Sequence, residues 1–260
     1  MGRTRAKEPL KLIHTDVCGP MSTNSIGGAR YFVTFIDDNS RKTFVYFLKT
    51  KDQVFTKFKE FRSMIQNQTG KRIKNIRSDN GGEYLSNNFK KFLKDHGIQH
   101  QVTVPYTPEQ NGVAERANRI IVEAARSMLY ARDMNLEFWA EAISTAVYLK
   151  NRSPTKALHD ITPEQAWTGK KPSVGHLRSF GCKAYVHVPT QHRSKLDSKT
   201  LECVFTGYYT ESKGYRVFNI VKQQALISRD VIFDEGNTDI FSLPKGVSCD
   251  LSNPEKETDQ

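Results

Sequence analysis

Three acidic side chains stand where a divalent-cation site for phosphoryl transfer would need them. Asp16 ends the apolar run Leu12-Ile13-His14-Thr15-Asp16, and Asp79 lies in Arg77-Ser78-Asp79-Asn80-Gly81-Gly82. Glu115 lies in Thr107-Pro108-Glu109-Gln110-Asn111-Gly112-Val113-Ala114-Glu115-Arg116, with 35 residues between it and Asp79. Phosphoryl transfer needs a dense cluster of carboxylates to hold divalent ions, and little other protein chemistry. Spacing alone decides nothing in a chain with 28 Asp plus Glu. The settings of the three acids carry the signal.

Taken singly, each acid has an ordinary explanation. An Asp before Asn-Gly-Gly is usually turn chemistry; alternatively it projects into a crevice whose glycines let a large substrate approach. Asp16 can simply cap a strand. Asp37, Asp38, Asp230 and Asp234 look alike in isolation, and the first two read as turn residues. For Glu115, a wheel at 100° per residue gathers Val113, Ala117, Ile120, Ile121, Ala124 and Met128 as the core face. Glu115 then falls on the open face with Asn118, Arg119, Val122 and Arg126. That suits a metal ligand beside a DNA groove. It equally suits a solvated Glu115–Arg119 pair worth about 0.2–0.5 kcal/mol.

The elements that must position these acids follow from periodicity. Leu10 to Val17 reads as a short strand, and 29–37 as a nearly continuous apolar run typical of a buried central strand. Thr43 to Leu48 returns as a hairpin partner. Helical spacing covers 51–68, with Val54, Phe55, Phe58, Phe61, Met64 and Ile65 on one face and Thr69-Gly70 ending it. A strand over 73–78, a helix over 87–96 and a strand over 98–104 come next. Helices over 110–132 and 136–150 close this half, which reads as a mixed sheet covered by helices. Residues 155–181 form a Pro/Gly-punctuated connector. From Cys182 to Phe233 the period becomes two, which predicts four or five short strands in a small β-barrel.

The bulk numbers narrow the class. The net charge of +11 points to a polyanionic partner. Residues 170–199 concentrate it, with seven Lys/Arg against Asp197 alone, interleaved with Phe180, Tyr185 and His187. From Asp250 the sign reverses and predicts a disordered acidic tail. Cys18, Cys182, Cys203 and Cys249 lie far apart, against a disulfide framework or a closed zinc site. His96 and His100 are separated by Gly97, so they do not share a helix face. No apolar run approaches a membrane span and no secretory h-region opens the chain, which reads as soluble and intracellular.

Three stretches carry a family resemblance: Leu12-Ile13-His14-Thr15-Asp16-Val17-Cys18-Gly19-Pro20, Arg77-Ser78-Asp79-Asn80-Gly81-Gly82-Glu83-Tyr84, and 105–116. Together they resemble the integrase of copia-type LTR retrotransposons, within the DDE integrase and transposase superfamily. Phe138-Trp139-Ala140-Glu141-Ala142, Asn151-Arg152-Ser153-Pro154 and His176-Leu177-Arg178-Ser179-Phe180-Gly181-Cys182 extend the resemblance, which runs from Lys11 to Glu235.

It implies an α/β fold: an RNase H-like catalytic core over 1–154, the connector over 155–181, an SH3-like β domain over 182–235 and a tail over 236–260. It implies that Asp16, Asp79 and Glu115 are the catalytic and metal-binding triad for two Mg²⁺ or Mn²⁺ ions, with no small-molecule cofactor. Asn118 and Arg119 are implied to grip the terminal DNA of the element, with Arg126 and Asn80 as further DNA contacts. The implied partner is double-stranded DNA, both element ends and target, acted on by a homo-oligomer in the nucleus and not at a membrane. The implied reaction is 3′-end processing followed by strand transfer through in-line phosphoryl transfer.

This sequence departs from the family in two places and lacks one module. Position 109 is Glu where Gln is typical, and position 117 is Ala where Lys is common. The upstream His/His/Cys/Cys zinc module is not in this chain, which reads as a piece of a polyprotein. Two rival readings remain at this point: an inactive DNA- or chromatin-binding remnant, and another RNase H-like nuclease.

Overall fold

The computed structural model describes residues 5–103, 111–188, 191, 193–194 and 198–236. The Pro105–Gln110 stretch with Glu109, Asp197, Cys249 and the expected tail from residue 237 onward lie outside the described residues.

The chain divides into two compact units, 1–22 with 30–123 and 146–176, and 23–29 with 124–145 and 177–260. The first unit opens with three antiparallel strands, β1 (Ile13–Cys18), β2 (Tyr31–Asp37) and β3 (Thr43–Leu48). Helix α1 (Val54–Thr69) follows a 3₁₀ turn and ends at Gly70, whose left-handed φ of 66° returns an amide to the Gln66 carbonyl. Strand β4 (Asn75–Ser78), the single turn α2 (Gly82–Leu85), helix α3 (Asn87–Asp95) and strand β5 (Gln99–Val102) come next. Helices α4 (Gly112–Ala131) and α5 (Trp139–Arg152) each contribute residues to both units.

The sheet order is β3-β2-β1-β4-β5, with β4 parallel to β1 and β5 parallel to β4. This is the mixed, helix-covered sheet expected from the pattern. Strand alternation sends Ile13, Val17, Val33 and Phe35 into one core with Phe58, Phe61, Ile65, Phe89 and Leu93 of α1 and α3. The opposite face carries His14, Asp16 and Thr34, and there Ile36 of β2 packs with Ala114 and Ala117 of α4.

The segment expected to be a bare connector contains helix α6 (Pro163–Thr168), with Pro at its start and Thr162 capping the Gln165 amide. Glu164 pairs with Lys42 at 2.8 Å, and Trp167 meets Phe44 edge-on at 5.9 Å. Its helical signal is six residues long, and the contacts that hold it come from a strand over a hundred positions away. Asn151 completes this side: its amide accepts from Thr43 N–H at 2.9 Å and donates to Thr43 C=O at 2.8 Å. Asp37 and Asp38 do form the turn read for them, closed by the Arg41 amide on the Asp37 carbonyl at 2.8 Å, and they are buried hubs as well. Asp37 accepts from the Leu10 and Ser40 amides and the Ser40 hydroxyl.

In the second unit, β6 (Lys183–His187), β7 (Thr200–Tyr209), β8 (Gly214–Asn219), β9 (Gln224–Ser228) and β10 (Val231–Asp234) form an antiparallel sheet in the order β10-β6-β7-β8-β9. Phe205 anchors it, with Tyr208, Tyr215 and Phe233 edge-on around it at 5.2–5.9 Å. A register shift in β7 falls between Phe205 and Gly207, where φ is +147°. A Cβ there would sit 2.8 Å from the Thr145 hydroxyl, so glycine is required twice over, by conformation and by space. Arg216 reaches Glu141 at 3.1 Å and Phe138 meets Phe218 edge-on at 5.0 Å, so residues 124–145 belong to the packing of this sheet.

Candidate active site

Asp16 is the fourth residue of β1, and its position follows from register. It faces Thr34 across the antiparallel pair, while His14 of the same strand faces Arg77 across the parallel one. Continuing the second register by two residues sets Asp79 beside Asp16, one strand spacing away or about 5 Å. Asp79 directly follows the end of β4 while β1 runs on to Cys18, so the two parallel strands deliver their carboxylates side by side at the carboxyl end of β4. Ligand sites in α/β sheets characteristically form outside such strand ends.

Asp79 is held by two contacts. Its Oδ1 accepts from the Gly81 amide at 3.0 Å, and its carbonyl accepts from the Ser78 hydroxyl at 2.8 Å. That hydroxyl spends its one proton on Asp79, so the 2.9 Å contact from His100 Nε2 is a donation by the ring. Asn80, a candidate DNA contact, is exposed and donates Nδ2 to the Thr103 carbonyl at 2.8 Å.

Glu115 lies exposed in the first turn of α4, where the helix macrodipole favours a carboxylate. The turn is fixed by Asn111, which is buried and donates Nδ2 to the Thr15 carbonyl at 3.3 Å. The Asn111 carbonyl also accepts from the Ala114 and Glu115 amides. Arg119 and Arg126 are exposed on the same helix.

The wheel misplaced two residues of α4. Ile120 is 47% exposed, whereas Asn118, assigned to the open face, is 4% exposed. Its Nδ2 donates to Asp16 Oδ2 at 3.0 Å and its Oδ1 accepts from the Thr34 hydroxyl at 2.8 Å. An amide with both ends satisfied inside the protein tolerates burial that composition alone would not assign to it. Sequence reasoning missed Thr34, and it missed Thr15, whose hydroxyl meets the buried Tyr84 phenol at 2.9 Å behind Asp16. Asn111 carried a readable signal, an Asn-Gly at a helix start.

The Asp16 carboxyl responds to both of the other acids. Burial first, then Asp79 and, less, Glu115 push the Asp16 carboxyl up to about 6, against the opposing hydrogen bond from Asn118. Three carboxylates that feel one another in a partly buried site, with only neutral donors holding Asp16, make a donor set suited to a hard divalent cation. The side chains have not closed into a ready ligand shell: among the described residues, no three His, Cys, Asp or Glu side chains could hold a metal ion. Cys18 is a free thiol pushed up by burial and by Asp16, and it offers no competing thiolate.

The comparisons agree with this architecture. Residues 6–108 match the integrase core domain family, and residues 182–246 match the retroviral polymerase SH3-like domain family. The retrovirus-related Pol polyprotein from transposon TNT 1-94 of Nicotiana tabacum is 53% identical over 226 residues, covering 87% of this chain. The chain spans 17% of the length of that curated relative. Among solved structures, a chain of a simian T-cell lymphotropic virus intasome, in complex with the PP2A regulatory subunit B56 gamma, shares the fold. Its TM-score is 0.52 at 16% identity, over 89% of this chain and 80% of that one. The HTLV-2 integrase catalytic core domain in complex with magnesium aligns at TM-score 0.47 and 20% identity, over 62% of this chain and 99% of that one. The chain belongs to the integrase family of copia-type retrotransposon Pol polyproteins, with an integrase core followed by a retroviral SH3-like domain.

Proposed function

We propose that this chain is a metal-dependent polynucleotidyl transferase that trims the 3′ ends of element DNA and joins them to target DNA. One observation carries the reading: the β1–β4 register sets Asp16 level with Asp79, and burial first, then Asp79 and, less, Glu115 push the Asp16 carboxyl up to about 6. Asp16, Asp79 and Glu115 would hold Mg²⁺ or Mn²⁺. Two such ions, when bound, would supply activation of the attacking oxygen and stabilisation of the leaving one. The protein contributes position. Asn118 aims Asp16, the Gly81 amide orients Asp79, and Asn111 sets the turn that bears Glu115. No side-chain nucleophile is required.

Arg119, Arg126 and Asn80 are assigned to DNA around the carboxylates; all three are exposed. With a chain charge of +11, binding should weaken steeply with salt. Action as a multimer in the nucleus, and division into a core over 1–154 and a β domain over 182–235, complete the proposal.

The test is strand transfer of a labelled short duplex into plasmid DNA with Mn²⁺ or Mg²⁺, beside the Glu115→Gln protein. Joined product from the unaltered chain and none from the variant supports the assignment. DNA bound but unjoined by both would replace it with a non-catalytic DNA-binding role.

A further inference from the structure

Asn118 can meet Asp16 in two ways, and only one is useful. An ionised carboxylate only accepts, so the amide must offer its NH₂ to Asp16 Oδ2. Its carbonyl then points away, into an interior where an unpaired acceptor costs about 1–3 kcal/mol. Thr34 of β2 is fully buried directly across from Asp16 in register, and its hydroxyl donates to that carbonyl at 2.8 Å. Without that donor, the carbonyl would gain by rotating the amide towards any other proton, turning an acceptor on Asp16.

We propose that Thr34 is a positioning residue: its hydroxyl locks the Asn118 amide so that the NH₂, and not the carbonyl, holds Asp16. The relay runs Thr34 Oγ1 to Asn118 Oδ1, then Asn118 Nδ2 to Asp16 Oδ2, at 2.8 and 3.0 Å. It links strand β2, helix α4 and strand β1, the last two of which carry Glu115 and Asp16. Thr34 touches no reacting atom; it acts through Asn118. The relay itself is independent of the proposed function, and its consequence for a bound cation rests on that reading.

The experiment has a metal-free arm and a metal arm, each on the full chain. In the first, the side-chain NH₂ of Asn118 is followed by ¹⁵N NMR in chelator, using Asn118→Ala to assign it. The unaltered chain and Thr34→Ser should show one slowly exchanging, shifted NH₂ pair. Thr34→Val should lose it, at a melting temperature that still reports a folded protein. In the second arm, Mn²⁺ binding is measured by calorimetry, with Asp16→Asn as the blank. Thr34→Val should bind Mn²⁺ about 10-fold or more weakly, as loss of a supporting hydrogen bond does at metal sites. Thr34→Ser should bind as the unaltered chain does.

The deciding comparison is Thr34→Val in an Asn118→Ala background, where it should cause no further loss. An unchanged NH₂ signal in Thr34→Val overturns the proposal. So does an equal loss of Mn²⁺ affinity whether or not Asn118 is present, because that is what a purely structural threonine would give. An unaltered chain that takes up no Mn²⁺ overturns the proposed function instead, and the NMR arm still decides Thr34.

Discussion

Asp38 and Asp16 are both drawn into the protein around strand β1, yet their surroundings are opposite. Asp38 follows β2 and accepts from His14 Nε2 at 2.9 Å and the Ala6 amide at 2.7 Å. It lies 2.9 Å from Arg41 Nη1, an ion pair without hydrogen-bond alignment. Burial alone would raise its carboxyl, but the His14, Ala6 and Arg41 contacts hold it at about 2. Two residues along the same strand from His14, Asp16 is pushed up to about 6 by burial and by two further acids. His14 is itself held below its ordinary value, chiefly by burial, so a neutral ring donates to an ionised Asp38. An acid surrounded by donors and a guanidinium is architecture. An acid beside other acids fits the cation site proposed for it.

The contrast can be broken by removing each charge in turn. The largest effect is expected at Asp38→Asn, which presents an NH₂ to His14 and Arg41 and leaves the partly buried Arg41 guanidinium unmatched. Urea unfolding should show a loss of about 3 kcal/mol, in the range for breaking buried ionic contacts. Asp16→Asn in chelator should do the reverse and stabilise the fold by about 1–2 kcal/mol, because it removes like-charge repulsion in a partly buried site. A destabilised Asp16→Asn protein would place Asp16 in the same class as Asp38.

The smallest effect sharpens the comparison through pH. Folded Asp16 keeps its proton up to about 6 while the unfolded carboxyl releases it near 3.8. The native state therefore binds more protons between those values, and stability falls as pH rises through them. The gain in melting temperature from Asp16→Asn should be small at pH 4, grow to pH 6 and then level. Asp38 has the opposite sign. Its contribution is complete above 3.8 and is lost as pH falls towards 2. Melting curves of Asp38→Asn and the unaltered chain should therefore converge only at the acid end.

Much of this was legible in the sequence, and the remainder has identifiable causes. Thr43–Leu48 and the start of α3 at Asn87 fall where the pattern puts them, because alternation and a Ser86 cap are local signals. The mixed sheet followed by a second, β-rich part was also readable from the change of period. What failed was long-range. A helical wheel treats Ile120 as core and Asn118 as surface, since it cannot know that β2 supplies Thr34 and β1 supplies Asp16 to satisfy that amide. Helix α6 was invisible because Trp167 and Glu164 owe their packing to Phe44 and Lys42. Asp37 and Asp38 were legible as turn residues but not as buried hubs, because their partners at Leu10, Ala6 and His14 lie 24 to 32 positions upstream.

The amide of Asn151 offers Thr43 the same donor and acceptor that a neighbouring strand would. Strand β3 is an outer strand of its sheet, and outer strands are where foreign chains add on. At its first residue this one already has a rung supplied from a helix end, so a newcomer would have to displace an internal mimic before the first new bond could form. A side chain of this kind therefore leaves the first rung of an outer strand already filled from within.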